Sequence, residues 1–412
     1  MKKVIFHNQE NEVPAKLWLD NIEESALAQI TNLQNLPFAF KHIAIMPDCH
    51  TGYGMPIGGV LATHQVIIPN AVGVDIGCGM CAIKTSLKSE QLDKNILTKI
   101  IDKIREIIPV GFNHHKKDQD RNLMPITANK NYPIIVGKEY SSALRQLGTL
   151  GGGNHFIEIQ KDTDNNVWIM IHSGSRNLGY KVAKHYNEVA ISLNEKWFSS
   201  VPKKWELAFL PIETQEAKNY MTEMQYCVDF ALANRKLMMD RIIDCFNQMI
   251  FNTKNNTFEK YFQENFENKN IANTNEMINI AHNYARFENH FGENVIVHRK
   301  GATSARKEEI GIIPGSQGTK SYIVKGLGNP ESFMSCSHGA GRKMGRSQAI
   351  KTLNLENEIK KLNDQNIVHG IRTAKDLDEA SGAYKDIDVV MANQIDLVEI
   401  ITELTPLAVI KG

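Results

Sequence analysis

The sequence predicts an α+β fold: one large domain whose mixed β-sheets send their loops into a single pocket. Two observations lead there. Short apolar, strand-like runs repeatedly end in polar, glycine-containing loops, where ligand sites are commonly built. The residues able to carry chemistry are spread from Asp48 to the last positions of the 412-residue chain, so a shared site needs the whole chain. Length alone would allow two or three average domains, but no composition shift, internal repeat or low-complexity segment marks a boundary, and residues 1–412 are read as one domain.

In chain order, Val4–Phe6 is a short strand candidate and Asn21–Leu33 a helix that begins at a polar cap. His42–Met46 reads as a strand, followed by a glycine-rich loop from Pro47 to Gly59. Gln65–Pro69 is strand-like, and Gly73, Gly77 and Gly79 then interrupt a second apolar run, the mark of a bend or of a closely approaching ligand. Leu92–Ile107 has helical spacing, with Leu92, Ile96, Leu97, Ile100, Ile101, Ile104 and Ile108 clustering on one face. Asn113–Tyr132 is polar and loop-like; its His114-His115 pair fits a solvated turn better than a metal site.

A helix over Ser141–Leu150 is expected to end at Gly151-Gly152-Gly153. The strand Asn154–Ile159 follows, with His155, Ile157 and Ile159 on one face and Asn154, Phe156 and Glu158 on the other. Val167–Ile171 is a strand running into His172-Ser173-Gly174-Ser175-Arg176. Thr214–Ile250 is a long helical tract with a methionine-rich core stripe, expected to pack outside the sheets, and residues 252–270 suit an inserted hairpin or lobe within a 214–270 segment. Ala281–Arg286 is expected to be helical. Asn294–His298, Ile310–Ile313 and Tyr322–Val324 are strands, Lys351–Leu362 is helical and Ile387–Leu404 is mixed.

Composition excludes some classes. Lys plus Arg number 47 against 46 Asp plus Glu, so no global field attracts a polyanion and any nucleic-acid site must be a local patch. Six scattered cysteines are too few for a secreted disulfide framework and fit a reducing cytosol. The N-terminus lacks the apolar core of a signal peptide, and no run approaches the length of a membrane span, so a soluble, cytoplasmic protein without a membrane partner is expected.

The chemistry centres on Ser337-His338-Gly339-Ala340-Gly341-Arg342, continuing to Arg346. Small neighbours leave the imidazole reachable, glycines admit a ligand to the backbone, and guanidinium forks fit phosphate oxygens. His338 therefore reads as a nucleophile acting on phosphates, against the plainer reading of a glycine-rich turn with solvated arginines. Asp75, Cys78, His155, His172 and His282 each sit beside a glycine-rich turn or an element end, and carboxylate, thiolate and imidazole together suit a borderline metal ion. Each histidine alone is more ordinarily a hydrogen-bonded core residue. The loops Gly151–Asn154, Ser173–Arg176 and Gly315–Thr319 offer backbone N–H groups to anions, with Lys300, Arg176, Arg342 and Arg346 as countercharge.

Five ordered motifs carry a resemblance: Pro47-Asp48-Cys49-His50-Thr51-Gly52-Tyr53-Gly54, Gly73-Val74-Asp75-Ile76-Gly77-Cys78-Gly79, Gly151-Gly152-Gly153-Asn154-His155-Phe156, Ile171-His172-Ser173-Gly174-Ser175-Arg176 and Ser337-His338-Gly339-Ala340-Gly341-Arg342, with the terminal Lys411-Gly412. Over its whole length the chain resembles the RtcB-type RNA ligases. The resemblance implies an RtcB-like fold around a central dinuclear metal site. It also implies a manganese- and GTP-dependent ligase joining RNA 3′-phosphate or 2′,3′-cyclic phosphate ends to 5′-hydroxyl ends, in tRNA splicing or RNA repair. By motif match His338 is the guanylylated nucleophile, and Asp75, Cys78, His155, His172 and His282 hold two Mn2+ ions with Cys78 between them. Asn154 and the loop Pro314-Gly315-Ser316-Gln317-Gly318-Thr319 contact the nucleotide phosphates or sugar, while Glu158, Tyr384 and Lys411 surround guanine. Arg176, Arg342 and Arg346 are the candidates for RNA phosphates. An activating protein partner is compatible with the family. Gln317 stands where methionine is expected and Gly345 where serine is, which bears on substrate preference more than on the reaction. Two other readings use some of the same residues. A dinuclear-metal phosphoesterase acting on RNA ends would need the metal residues but not His338, and a non-enzymatic RNA-binding or metal-storage protein would need no nucleophile.

Overall fold

Two β-sheets organise the chain in the computed structural model, which describes residues 1–6, 13–126, 134–251, 271–272 and 276–412. The first has six strands in the order Lys3–Ile5, Ala15–Leu17, Ala39–His50, Ile57–Thr63, Glu293–Lys300 and Asn283–His290. Ala15–Leu17 runs parallel to Ala39–His50 and the other neighbours are antiparallel, so this sheet is mixed. The second has seven antiparallel strands in the order Ile278–Ala281, Gly79–Lys88, Asn166–Ser173, Phe156–Asp162, Val398–Lys411, Ser321–Gly326 and Ile310–Ile313. The architecture is mixed helix and sheet with several sheets, in line with the α+β expectation.

Alternation along the strands builds the core. In the seven-stranded sheet Cys81, Ile83, Ile157, Ile159, Ile169 and Ile171 share one apolar cluster, while Met80, Ala82, Phe156 and Met170 belong to another. The first cluster is covered by the helix Lys94–Ile107, whose Leu97, Ile100, Ile101 and Ile104 are buried and whose start is capped by the Asp93 carboxylate accepting from the Ile96 N–H. Burying each such side chain contributes roughly 1.5–3 kcal/mol. In the six-stranded sheet Ile43, Ile45 and Leu61 face the helix Glu24–Gln34, and Ala44, Met46, Val60 and Ala62 face Phe333, Ile387 and Val390.

Several expectations need correction. Ala281–Arg286 is not helical: it spans the end of one strand and the start of another, because Ile278–Ala281 pairs with Gly79–Ala82 and Asn283–His290 pairs with Glu293–Lys300. Pairing on both sides outweighs the helix preference of two alanines and an arginine in so short a window. The strand from Ala39 continues through Pro47–His50, which were read as loop. The helix expected over Ser141–Leu150 lies earlier, at Ile134–Gln146. A helix not anticipated, Arg176–Lys196, follows the His172 strand directly. The long helix, Gln215–Phe251, is not an outer layer: Tyr220, Phe230, Met238, Met239, Ile242 and Phe246 are at 0% exposure, and it crosses two apolar clusters. The insertion expected over 252–270 lies outside the described residues.

Candidate active site

The donor cluster forms where strand ends of the two sheets meet. Cys78 immediately precedes Gly79–Lys88, His155 precedes Phe156–Asp162, His172 lies near the end of Asn166–Ser173, and His282 sits between Ile278–Ala281 and Asn283–His290. Neighbouring strands bring these ends together, and their backbones interlock: the His282 N–H donates to the Cys78 carbonyl at 2.8 Å, and the Cys78 N–H to the Asp75 carbonyl at 3.1 Å. The Cys78 Sγ lies 3.4 Å from His155 Nε2 and 3.3 Å from His172 Nε2. His155 Nε2 is 3.1 Å from Asp75 Oδ2, and His172 Nε2 is 3.4 Å from His282 Nε2. The five dispersed candidates for metal binding thus form one continuous, largely buried group.

Tautomers decide what this group can do. His155 Nδ1 sits 3.0 Å from the Leu150 carbonyl and His172 Nδ1 3.1 Å from the Asn154 carbonyl. A carbonyl only accepts, so each Nδ1 carries a proton; the Nε2 of His172 is left to face the cluster, while that of His155 faces the Asp75 carboxylate. Burial, reinforced by neighbouring imidazoles, holds His172 and His282 well below the ordinary histidine range and therefore neutral. Burial and the Asp75 carboxylate push the Cys78 thiol well up, a balance that a divalent cation reverses in favour of thiolate. Ligand atoms of Cys78, His155 and His172 lie within 4.8 Å of one another, and Asp75 Oδ1 is buried without a hydrogen-bond partner. Imidazoles, a thiol and a carboxylate with an unused oxygen fit a borderline divalent ion. The cluster leaves no room to spare: a Cβ on Gly174 would fall 2.3 Å from Asp75 Oδ1.

His338 stands against this cluster, its ring centroid 4.7 Å from that of His282. It follows the short strand Ser335–Ser337, which pairs with Ala302–Ser304. Asp48, which the motif contained but to which no role was given, is at 0% exposure. Its Oδ2 accepts from both His338 Nδ1 at 2.6 Å and the His338 backbone N–H at 3.1 Å. A carboxylate on Nδ1 leaves the Nε2 lone pair free, the tautomer a nucleophile requires.

His338 also lines a concave pocket that is partly open to solvent. Its walls include Asn154, Glu158, His172, the stretch Pro314–Gln317, Arg342, Arg346, Tyr384 and Lys411. Gly318 and Thr319 continue that loop, and the Thr319 hydroxyl contacts the Ser316 N–H and hydroxyl. Glu158 is fully buried, and loss of hydration pushes its carboxyl up to about 8 despite Lys411 and a hydrogen bond from Gln160. Burial also lowers Lys411, against the opposing pull of Glu379 and Glu158. The Lys411 ammonium lies 5.6 Å from the Phe156 ring centre.

Glu379, unnoticed in the sequence, organises the opposite wall. Its buried carboxylate accepts from Arg342 Nη1 and Arg346 Nε, each at 2.7 Å, and from the Tyr384 hydroxyl. Its carbonyl accepts from Gln317 at 3.0 Å, which gives the residue found in place of methionine a partner. Arg342 is held through all three guanidinium nitrogens, since Nε also donates to the Met344 carbonyl and Nη2 to the Asp378 carbonyl. Arg346 is held through Nε alone among the described residues, and its Nη2 lies 2.7 Å from where a Cβ on Gly153 would be. Arg176 is placed differently. It adopts φ +60, donates to the Gly111 carbonyl at 3.2 Å and the Thr149 hydroxyl at 3.3 Å, and is not among the pocket-lining residues. Lys300 is buried on the carbonyls of Tyr53 and Asn70. His115 bonds the Gly148 carbonyl and Arg241, and neither His114 nor His115 joins the cluster.

Comparison with known proteins places the chain in a family. The family described as tRNA-splicing ligase RtcB matches residues 29–412. The RNA-splicing ligase RtcB of Escherichia coli (strain K12) is 39% identical, with 97% of each chain covered. The tRNA-splicing ligase RtcB of Nanoarchaeum equitans is 32% identical over 95% of this chain and 92% of its own, and that of Thermococcus kodakarensis 28% identical over 97% and 95%. With the family covering nearly the whole chain, and with a near-complete relative at 39% identity, this protein belongs to the RtcB ligase family.

Proposed function

We propose that the chain, acting as one domain, is a GTP- and Mn2+-dependent RNA ligase that joins RNA 3′-phosphate or 2′,3′-cyclic phosphate ends to 5′-hydroxyl ends. The observation that carries this reading is the position of His338: Asp48 fixes its Nδ1–H, and its ring lies between a donor cluster and a pocket lined by Asn154, Glu158, Tyr384 and Lys411. Asp75, Cys78, His155, His172 and His282 would hold two divalent cations, which when bound neutralise charge on the nucleotide triphosphate and on the departing pyrophosphate.

The side chains then have separable tasks. Asn154 and the loop Pro314–Thr319 bind the nucleotide phosphates and sugar, and Glu158, Tyr384 and Lys411 surround the guanine. His338 Nε2 forms a bond to the α-phosphorus of GTP as the bond to pyrophosphate breaks, giving a guanylylated histidine. GMP passes from His338 to the RNA 3′-phosphate, and the incoming 5′-hydroxyl displaces it with formation of the phosphodiester. A cyclic phosphate is opened by water beforehand. Arg346 has free guanidinium nitrogens for an RNA phosphate, whereas Arg342 is bonded within the protein through Nε, Nη1 and Nη2. Arg176 reaches RNA only if its bond to Gly111 breaks.

Incubation with α-labelled GTP and Mn2+ tests the proposal. An acid-labile adduct that disappears in His338→Ala is expected. Metal-dependent trimming of RNA ends without any adduct would instead identify a phosphoesterase, and RNA binding with neither activity a non-enzymatic protein.

A further inference from the structure

The middle of the long helix Gln215–Phe251 carries a polar pair within its apolar stripe. Asn234 and Arg235 are both at 0% exposure, between the buried Cys227 and Ala231 on one side and Met238, Met239 and Ile242 on the other. Burying an arginine and an amide side by side is costly unless their groups are used. Almost all of their hydrogen bonds go to the segments that carry the donor cluster.

Arg235 Nη1 donates to the Gly77 carbonyl at 3.0 Å and to the Ser173 carbonyl at 2.8 Å. Gly77 precedes Cys78 and Ser173 follows His172, so one nitrogen ties together the two chain segments whose side chains meet at 3.3 Å. Arg235 Nε donates to Asn279 Oδ1 at 2.8 Å, within the strand that leads to His282. Asn234 Oδ1 accepts from the N–H groups of Gly148 and Thr149 at 2.7 and 3.1 Å. Its Nδ2 donates to the carbonyls of Thr149 and Gly174 and to the Ser173 hydroxyl, each at 3.2 Å. The Ser173 hydroxyl in turn donates at 2.7 Å to the Leu150 carbonyl, the same oxygen that orients His155.

The helix approaches closely enough for this only because Gly77 has no side chain. A Cβ there would lie 2.8 Å from Val228 Cα, and its φ of +76 is a conformation suited to glycine. No acidic side chain is hydrogen-bonded to Arg235 among the described residues, so the guanidinium is not there to complete an ion pair. Its work is on backbone carbonyls beside Cys78 and His172.

We propose that Asn234 and Arg235 are positioning residues that set the mutual spacing of Cys78, His155, His172 and His282 for metal binding, an inference that rests on reading those four as metal-holding residues. The two side chains act through the backbone of three chain segments and through the side chain of Asn279 on a fourth. Groups one step removed from metal ligands typically change metal affinity by about 10- to 100-fold when lost.

The experiment uses the full chain stripped by chelation and titrated with Mn2+ by calorimetry and with Co2+ by absorption, beside thermal melts without metal. Arg235→Met should weaken Mn2+ binding by about 10- to 100-fold and alter the thiolate–Co2+ absorption. Arg235→Lys, which keeps one donor, should recover part of both. Asn234→Asp keeps the acceptor to Gly148 and Thr149 but loses the donors, and should change the Co2+ spectrum in the same sense; it and the lysine variant serve if the methionine variant does not fold. Variants that melt earlier yet bind with wild-type affinity and spectrum would show ordinary core packing and overturn the proposal. A wild-type chain that binds neither metal would overturn the metal reading itself, and the positioning role with it.

Discussion

Replacing Asp48 by asparagine changes no volume but removes the charge that orients His338. In the native arrangement one oxygen, Oδ2, accepts two bonds from His338, at 2.6 Å from the ring and 3.1 Å from the backbone. A hydrogen bond to a charged group contributes about 1.5–3 kcal/mol. Losing one such bond in the step that uses the Nε2 lone pair corresponds to roughly a 10- to 150-fold slower reaction, at about 1.4 kcal/mol per tenfold. An amide whose NH2 group faced Nδ1 would also move the ring proton to Nε2 and block attack. Asp48→Ala removes both bonds, about 3–6 kcal/mol, for a loss of roughly 10²- to 10⁴-fold. The assay is single-turnover transfer of labelled GMP to the protein at saturating GTP and Mn2+, with melts to confirm folding. A folded Asp48→Asn chain that labels within about threefold of the wild-type rate would refute the idea that this carboxylate presents the nucleophile.

Other outcomes follow from the same geometry. A chelated chain should gain about 2.7 kcal/mol of stability when Mn2+ is restored at one hundred times its Kd, and Cys78→Ser should lose most of that gain, as denaturant melts would show. Glu158 is held protonated in the fold to about pH 8 by burial, above its ordinary value of 4.5. Between those pH values the unfolded chain has released a proton that the folded chain retains, so the carboxyl lowers stability progressively as pH rises through this window. Glu158→Gln removes the effect, so urea melts at pH 5 and pH 8 should find the variant gaining on the wild type at the higher pH. Gly345 is the N-cap residue of the helix Arg346–Thr352, and a Cβ there meets nothing within 4 Å. Gly345→Ser should raise stability by a few tenths of a kcal/mol, measurable as a small rise in Tm with ligation unchanged.

The sequence made the donor cluster legible because each member sits where a strand gives way to a turn. Asp75 to Cys78, Asn154 to His155 and His172 to Ser173 all keep that local signature. What it could not show was which backbone groups fix the tautomers, since the carbonyls of Leu150 and Asn154 leave no residue-type trace. Asp48 was in plain view, yet the glycines that follow it made Pro47–His50 read as loop, while the structure continues the strand to present its carboxylate to a residue 290 positions away. Glu379 lies among ordinary polar residues, and only tertiary contact with Arg342, Arg346 and Tyr384 singles it out. The helix Arg176–Lys196 did leave a stripe, with Leu178, Val182, Tyr186 and Ala190 all buried, but its start is masked by the polar turn and by Gly179. His282 reads as helical in the sequence, because a six-residue window of mixed preference cannot reveal pairing on both sides. The polar pair Asn234-Arg235 within a run of apolar residues is a signal that the sequence itself carries.

The strand Val398–Lys411 lies between Phe156–Asp162 and Ser321–Gly326, although both of those precede it in the chain. During synthesis the two earlier strands therefore emerge with facing edges unpaired, which exposes them to mispairing until the later segment arrives. The pairing spans most of the sequence, a topology that folds slowly. Lys411 lines the pocket beside His338 at the end of the same strand. A nascent or truncated chain lacking that segment would thus have neither a closed sheet nor a complete pocket, and the protein would gain both in one late event.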